Sequence, residues 1–486
     1  MVTQLTDYLL YRWRYILGYG LIILSILGIL TVALFYIPGG LGQAEMDTVV
    51  KSSSLTLSLT EFDPASIINL PYHLLQRASI ALLGVTALSI KLPSFILGIL
   101  SGLGVLLLMR MWFKQNIAVI TTILVITTGQ FMFIAQNGTP AILYVFWPVW
   151  LLVSALMISR KTGPVILWKI ALFGIAALSL YTPLTIYILL ALLSSIILHP
   201  HLRYLVKQLP KVKLLFALFC ALILLAPLIY TIVLHPNIGL QLLGVPESWP
   251  NILANVKQLA HQYFDFITPS SGTVMTPIYG LGSMILIALG VWRLFTTKYT
   301  ARSYITIAWI VLLIPVMILN PNYISITFVP GILLMAMGVN KLLSLWYQLF
   351  PRNPYARIAG LLPLAILIGG MVFSGVDRFM YGYLYDPKTA VNFSTDLELV
   401  NAQLADKERG TTQLIVTPNE LPFYMVVAKY SSDVHAFSTP PPQPGSTIIV
   451  SRAANIAYAS TEPWRIIANT TTNDSDRFYI YKTSAQ

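Results

Sequence analysis

Residues 70–94 read LPYHLLQRASIALLGVTALSIKLPS. From Pro71 to Leu88 the apolar residues recur at helical spacing, broken by the polar side chains of His73, Gln76 and Arg77. That pattern predicts a helix lying on a membrane surface or re-entering it. Lys91-Leu92-Pro93-Ser94 then opens an apolar run over 92–113. A bilayer core needs about 20 predominantly apolar residues per helix, so this run is long enough to span.

The same criterion, applied outward from 92–113, places further spans at 15–37, 117–135, 140–158, 164–181, 183–198, 213–234, 278–295, 304–319, 324–340 and 358–375. These make about eleven helices, because a backbone in lipid must satisfy its polar groups internally. Composition agrees: the 486 residues are 56% hydrophobic and 10% charged. The mean hydropathy is +0.74. Soluble domains carry roughly 25% charged residues, so the expected class is an α-helical polytopic membrane protein. The first run, 15–37, has no small-residue cleavage site after it and is expected to stay attached as a helix. The single cysteine, Cys220, lies in an apolar run and allows no intrachain disulfide.

The net charge of +12 follows topology rather than forming one basic patch, which argues against nucleic acid as a partner. With a cytoplasmic N-terminus, inner connections hold basic residues such as Arg12, Arg14, Arg110, Lys114, Arg160, Lys161, Lys211 and Arg352. Outer connections hold Lys51, Arg77, Lys91 and Lys257. The expected localisation is therefore a multi-pass protein of the plasma membrane with its C-terminus outside. Lys169 is the basic residue well inside a span, and it lies close enough to the cytoplasmic end to snorkel. Acidic residues sort outward, at Glu45, Asp47, Glu61, Asp63, Glu247 and Asp265. Either these serve a site there, or the longer outer loops simply hold more polar residues.

Two outer segments, 38–91 and 235–277, exceed ordinary turns. In the second, Ile252, Val256, Leu259, Tyr263 and their neighbours recur at helical spacing. The division expected is a transmembrane domain over 1–376 and a small extracytoplasmic α/β domain over 377–486. Its helices are expected at 395–405 and 420–430, its strands at 413–417, 446–451, 464–468 and 478–482, with a linker at 381–387 and a proline-marked loop at 440–442. It has no Gly-rich phosphate fingerprint and no clustered His or Cys ligands, and no chemistry is assigned to it.

Gly39 to Asp47 reads GGLGQAEMD and carries two carboxylates, Glu45 and Asp47, just beyond the first span. Partial desolvation at a membrane surface can hold a carboxylate ready as a base, whereas exposed loop acids are ordinarily only solvated.

An acidic loop, a Pro-Leu-Tyr-Tyr-like helix start, then Phe-Gly-Val and Arg-Leu-Pro-Ser form a signature of GT-C glycosyltransferases of the protein O-mannosyltransferase and aminoarabinose-transferase branch. The present chain resembles it at Pro71-Tyr72-His73, Leu83-Gly84-Val85 and Lys91-Leu92-Pro93-Ser94. Tyr323 to Pro330 is similar to the Tyr-rich helix start late in that family's membrane domain. The resemblance implies a GT-C-like fold. It also implies transfer of a sugar from a polyprenyl phosphate to an acceptor outside the cytoplasm, with an acidic residue of the first outer loop at the reaction centre. By position Glu45 matches the second member of the family's acidic pair; Ala44 stands at the first, and Asp47 is the carboxylate available to replace it.

The lipid phosphate needs cationic or hydrogen-bonding partners in a low-dielectric groove. Asn69-Leu70 and Asn322 stand where the family commonly has a basic residue. His73, Arg77, Lys91, Lys257 and His261 are the outer candidates to replace it, against their reading as snorkelling or capping residues. Gln136-Asn137-Gly138-Thr139-Pro140 is either a sugar contact, since amides suit hydroxyls, or a capping turn.

The function expected is thus a polyprenyl-phosphate-dependent, inverting glycosyltransferase with no metal set and no cofactor beyond its lipid-linked sugar. Its partners would be membrane lipid, the sugar donor and a lipid, glycan or protein acceptor. A flippase or transporter of lipid-linked glycans is a rival, although no internal repeat is evident. A non-catalytic scaffold of the same fold is another.

Overall fold

The computed structural model describes residues 12–36, 41–55, 64–160, 165–208, 211–266, 275–297, 300–349, 354–382, 396–404, 412–430, 434–440, 447–454, 462–468 and 476–482. Glu61, Asp63, most of the expected linker and the prolines after Pro440 lie outside them.

Apolar composition and capping side chains explain where the helices run. The membrane part begins with α1 (Arg12–Tyr36) and two helices of the first long loop, α2 (Gln43–Ser54) and α3 (Leu70–Leu83). Next come α4 (Ala87–Trp112), α5 (Gln115–Ile126), α6 (Gly129–Gln136), α7 (Leu143–Arg160), α8 (Val165–Ser179), α9 (Ile186–Leu198) and α10 (Pro200–Lys207). It closes with α11 (Lys211–Leu234), α12 (Pro236–Leu242), α13 (Ile252–Phe264), α14 (Leu281–Thr296), α15 (Ala301–Leu319), α16 (Phe328–Leu349) and α17 (Pro354–Asp377). Thr86 starts α4 with a reciprocal cap: its hydroxyl accepts from Ser89 N at 3.1 Å, and Ser89 Oγ accepts from Thr86 N at 3.0 Å.

Among the described residues six helices are long and apolar enough to cross a membrane. Two further spans are broken: α5 and α6 bend by 61°, and α9 and α10 by 96°. Shorter apolar helices lie at Gly18–Leu34, Val165–Ser179 and Leu281–Thr296. Every expected span thus coincides with an apolar helix or a bent pair. The bends are what periodicity missed. At the first, Thr127 and Thr128 turn their hydroxyls onto the Ile123 and Val125 carbonyls at 2.8 and 2.7 Å. At the second, Pro200 occupies the first turn of α10 and cannot continue the α9 ladder. Leu215, Phe216, Phe219 and Ile223 on α11, and Leu362, Ile366 and Phe373 on α17, are exposed. An apolar surface of that extent is compatible with lipid, not water, and the protein is membrane-integral.

The tightest helix contact joins α14 and α16. A Cβ on Gly290 would lie 1.9 Å from the Leu334 carbonyl oxygen, and one on Gly338 would lie 1.9 Å from that of Leu286. Small residues let backbones meet where no hydrophobic drive separates protein from lipid.

The C-terminal part carries α18 (Asp396–Leu404), α19 (Leu421–Lys429) and five strands: β1 (Thr412–Ile415), β2 (Val434–Phe437), β3 (Thr447–Ser451), β4 (Arg465–Ala468) and β5 (Asp476–Lys482). The sheet order is β2-β1-β3-β5-β4. β1 runs parallel to β2 and β3, pairing Ile415 with both Phe437 and Val450; β5 is antiparallel to β3 and β4. The edge strand β2 was not expected from sequence, since Val-His-Ala-Phe is too short and too mixed to show alternation. The sheet's core, with Leu414, Ile449, Phe478 and Ile480, is continuous with Leu41, Val49, Ile80, Val85 and Ile90. Asn401 Nδ2 also donates to the Val85 carbonyl at 2.9 Å. The α/β part is therefore fastened to the first long loop, through α2 and α3.

Candidate functional site

The stretch Gly39 to Asp47, read as an open loop, turns into helix at Gln43, and this relocates its carboxylates. Glu45 sits in the first turn of α2 and is 2% exposed. Its Oε2 accepts from Gly42 N at 2.8 Å, its Oε1 from Gly138 N at 2.5 Å, and Lys91 Nζ lies 3.9 Å from Oε1. Burial pushes this carboxyl above the ordinary carboxylate range, while Lys91 and the two amides pull it back. Glu45 is enclosed, because the 136–140 turn closes over it. A Cβ on Gly138 would meet Ile90 Cγ2 at 2.7 Å and Glu45 Oε1 at 3.2 Å, so only glycine allows this approach. Lys91, expected to bind phosphate, is 7% exposed and turned to the same carboxylate.

From the turn a chain of hydrogen bonds runs to a cavity. Gln76 Nε2 donates to the carbonyls of Gly138 and Ile90 at 3.0 and 3.1 Å, which fixes the amide's orientation. Its Oε1 accepts from Ser52 Oγ at 2.6 Å, and Ser52 Oγ also lies 2.8 Å from the Thr48 carbonyl and 2.9 Å from His73 Nδ1, which joins the imidazole to the chain. Burial, then the Lys51 ammonium, lower His73 to about 4, with the Ile68 carbonyl opposing.

His73 lines a polar cavity of about 760 Å³ between α2, α3, the start of α13 and the turn after α15. Lys51 and Thr48 enter from α2, Glu247 from the loop after α12, Asn255 and Gln258 from α13, and Asn322 and Tyr323 from the 3₁₀ turn Pro321–Thr327. Asn69, in the left-handed region at φ 60°, also lines it, and its buried Oδ1 has no hydrogen-bond partner among the described residues. Tyr323 packs edge-on against Tyr144 with centroids 6.4 Å apart.

Among the residues expected at the site, the structure brings His73 and Tyr323 to this cavity. The others lie elsewhere among the described residues. Asp47 is exposed and accepts from Gln43 Nε2 at 2.9 Å. Arg77 donates to the Leu55 carbonyl. Lys257 is exposed, and His261, also exposed, pairs with Asp265 at 3.0 Å. Gln136 Nε2 donates to the Leu30 carbonyl at 2.9 Å, and the buried Asn137 Oδ1 has no hydrogen-bond partner among the described residues. Sequence reasoning missed Lys51 and Ser52. Once 43–54 is read as a helix, Thr48, Lys51 and Ser52 fall on one face at i, i+3 and i+4, and that was the available signal.

An apolar slot of about 290 Å³ lies further along α13. Leu259 and Tyr263 of α13 line the slot one turn beyond Asn255 and Gln258, and Thr327 and Pro330 continue it past Tyr323. Tyr263 Oη and Thr327 Oγ1 are hydrogen-bonded, which ties α13 to the 3₁₀ turn.

This layout of helices recurs in solved proteins. ArnT from Cupriavidus metallidurans in the apo state matches with a TM-score of 0.51 at 12% identity, over 96% of this chain and 98% of that one. The chain has the GT-C fold. The same ArnT bound to undecaprenyl phosphate matches this GT-C-fold protein with a TM-score of 0.50 at 15% identity, over 95% and 97% of the two chains. An Archaeoglobus fulgidus oligosaccharyltransferase tethered to an acceptor peptide gives 0.50 at 12% identity, covering 86% of this chain and 64% of its own. A family model described as dolichyl-phosphate-mannose-protein mannosyltransferase matches residues 71–230. A search of curated proteins finds no match.

Proposed function

We propose that this GT-C-fold protein is a membrane glycosyltransferase that moves a sugar from a polyprenyl phosphate to an acceptor outside the cytoplasm. The observation that carries the reading is the succession of two cavities along α13, one polar and one apolar. An isoprenoid tail fits the apolar slot, and its sugar phosphate then reaches the polar chamber. The family-model match and the undecaprenyl phosphate bound by ArnT support this donor class.

In the chamber Lys51 is the cation facing the donor phosphate. The acceptor hydroxyl oxygen attacks the anomeric carbon, the bond from that carbon to the phosphate oxygen breaks, and its electron pair leaves with the phosphate. The proton passes to the His73 imidazole. Direct displacement inverts the anomeric centre. Burial first, and then the Lys51 charge beside it, make His73 a weak base. An anionic donor on Lys51 offsets the second of these and so strengthens the base. Glu45 acts at one remove, by holding the turn that orients Gln76, Ser52 and His73. With Lys51 supplying the charge, turnover is independent of added metal and survives EDTA.

The test is purified protein in liposomes with polyprenyl-phosphate-linked sugars, comparing wild type with His73→Gln, Lys51→Met, Asp47→Asn and Glu45→Gln. General-base loss is worth about 10²–10⁴-fold, so His73→Gln should fall by at least about 100-fold. Lys51→Met should mainly raise the donor KM, and Asp47→Asn should leave turnover unchanged. Wild-type turnover in His73→Gln defeats the assigned base. Folded protein inactive with every donor would return the chain to the scaffold or flippase reading.

A further inference from the structure

At the end of the bundle remote from the polar chamber lies a further cavity, of about 510 Å³, within the range of about 300–1,000 Å³ typical of ligand pockets. Its walls are mostly apolar and come from α7, α8 and α15. Its roof is α10, which turns 96° away from α9 and so lies across the bundle instead of along it. Such a helix sits in the plane of a membrane interface.

Two cations enter this apolar space. Lys169, in the second turn of α8, lines the cavity and is 8% exposed. Among the described residues it has neither an ion pair nor a hydrogen bond. Arg302 of α15 donates through Nη1 to the Trp112 carbonyl at 3.0 Å and lies over the Phe113 ring at 4.3 Å, while its buried Nε has no partner. His201 of α10 completes the basic side, and no Asp or Glu lines the cavity. Snorkelling accounts for a lysine whose ammonium reaches water. Here the lysine is nine-tenths buried and lines the same cavity as Arg302. Buried charges are paired, or the desolvation cost stands uncompensated.

We propose that this cavity binds an anionic phospholipid of the surrounding membrane, with its phosphate on Lys169 and Arg302 and an acyl chain along Leu156, Leu172 and Ile305. Charge complementarity chooses the headgroup, and the apolar walls with an interfacial roof choose a lipid over a free anion. The site lies at the end where the basic loops place the cytoplasm, whose leaflet holds the anionic lipids. It stands independently of the glycosyl-transfer reading, and loss of that reading would leave it untouched.

The experiment uses full-length protein in neutral detergent, titrated with phosphatidylglycerol, phosphatidylcholine or inorganic phosphate. Thermal unfolding and native mass spectrometry of retained lipid are the readouts. Phosphatidylglycerol is expected to raise the wild-type Tm and to stay bound; the other two are not. Lys169→Met should keep or raise the lipid-free Tm, because an unpaired charge is gone, and should weaken phosphatidylglycerol binding about tenfold or more. Leu172→Trp, which leaves the charges and fills the chamber, should also lose the lipid. Wild-type retention in both variants overturns the proposal. So does a full Tm increase from inorganic phosphate alone, which would mean an anion site without a lipid.

Discussion

Glu45 shows how one side chain can be placed by more forces than its chemistry needs. It closes the first turn of α2, accepts from the Gly138 amide and faces Lys91. Removing one partner of a buried pair leaves an uncompensated charge, a loss of about 3–5 kcal/mol. Glu45→Ala is therefore expected to lower stability by that order in chemical or thermal unfolding. Adding Lys91→Met should restore a large part. Equal losses in the single and double variants would mean that the pair does not interact. The two buried titrating groups also pull stability in opposite directions with pH. His73 is lowered from 6.5 to about 4, so its contribution is complete above about pH 6.5 and is lost as pH falls from there toward 4. Glu45 is raised above 4.5, so its contribution is complete below that value and is lost as pH rises through its folded pKa. In wild type the two partly cancel. His73→Gln should remove the loss of stability between pH 6.5 and 4.5; an unchanged Tm profile over that window would show that the imidazole is not held neutral.

At the scale of elements, the spans were legible because a 20-residue apolar requirement leaves few alternatives, and every expected span has its helix. The helices of the two long loops were legible too: α13 lies at Ile252–Phe264 where apolar spacing put it, and α3 at Leu70–Leu83 stops at Gly84, short of the expected Leu88. Periodicity could not show that Gln43–Ser54 is helical, since this segment is polar on most sides and is held by tertiary contacts. That one omission moved Glu45 inward and hid Lys51 and Ser52. The turn 136–140 was likewise visible as a turn, but its carbonyl and amide contacts to Gln76 and Glu45 join residues more than 60 positions apart in sequence. Backbone contact between α14 and α16 makes the corresponding prediction. Gly338→Ala places a methyl against the Leu286 carbonyl, a backbone atom that cannot rotate away, and overpacking of this kind costs about 1–3 kcal/mol or more. The matched control is Gly369→Ala on α17, where nothing lies within 4 Å. Tm should fall in the first and hold in the second. Equal values would show that the helix pair is not in contact.

At the scale of the molecule, the C-terminal sheet is an integral brace for the chamber. Leu397 and Val400 of α18 and Phe423 and Val427 of α19 share one buried cluster with Val49, Ile80 and Val85. These last three lie on, or next to, the helices that present Lys51, Ser52 and His73. Helices as short as α2 and α3 are marginal alone and depend on packing of an apolar face. Loosening the sheet should therefore loosen the chamber before it loosens the spans. Val400→Asp introduces an unpaired carboxylate into the shared cluster, where burial of such a group is costly. Hydrogen exchange on the intact variant in detergent should show faster exchange over residues 43–83, with 87–112 and 301–319 still protected. Turnover, if present in wild type, should show a lower kcat and a higher donor KM together, because His73 and Lys51 both lie in the loosened segment. Wild-type exchange over 43–83 would mean that the sheet rides on the chamber without supporting it. In that case the shared cluster would be a contact of convenience, and the order of His73, Ser52 and Gln76 would rest on the 136–140 turn alone.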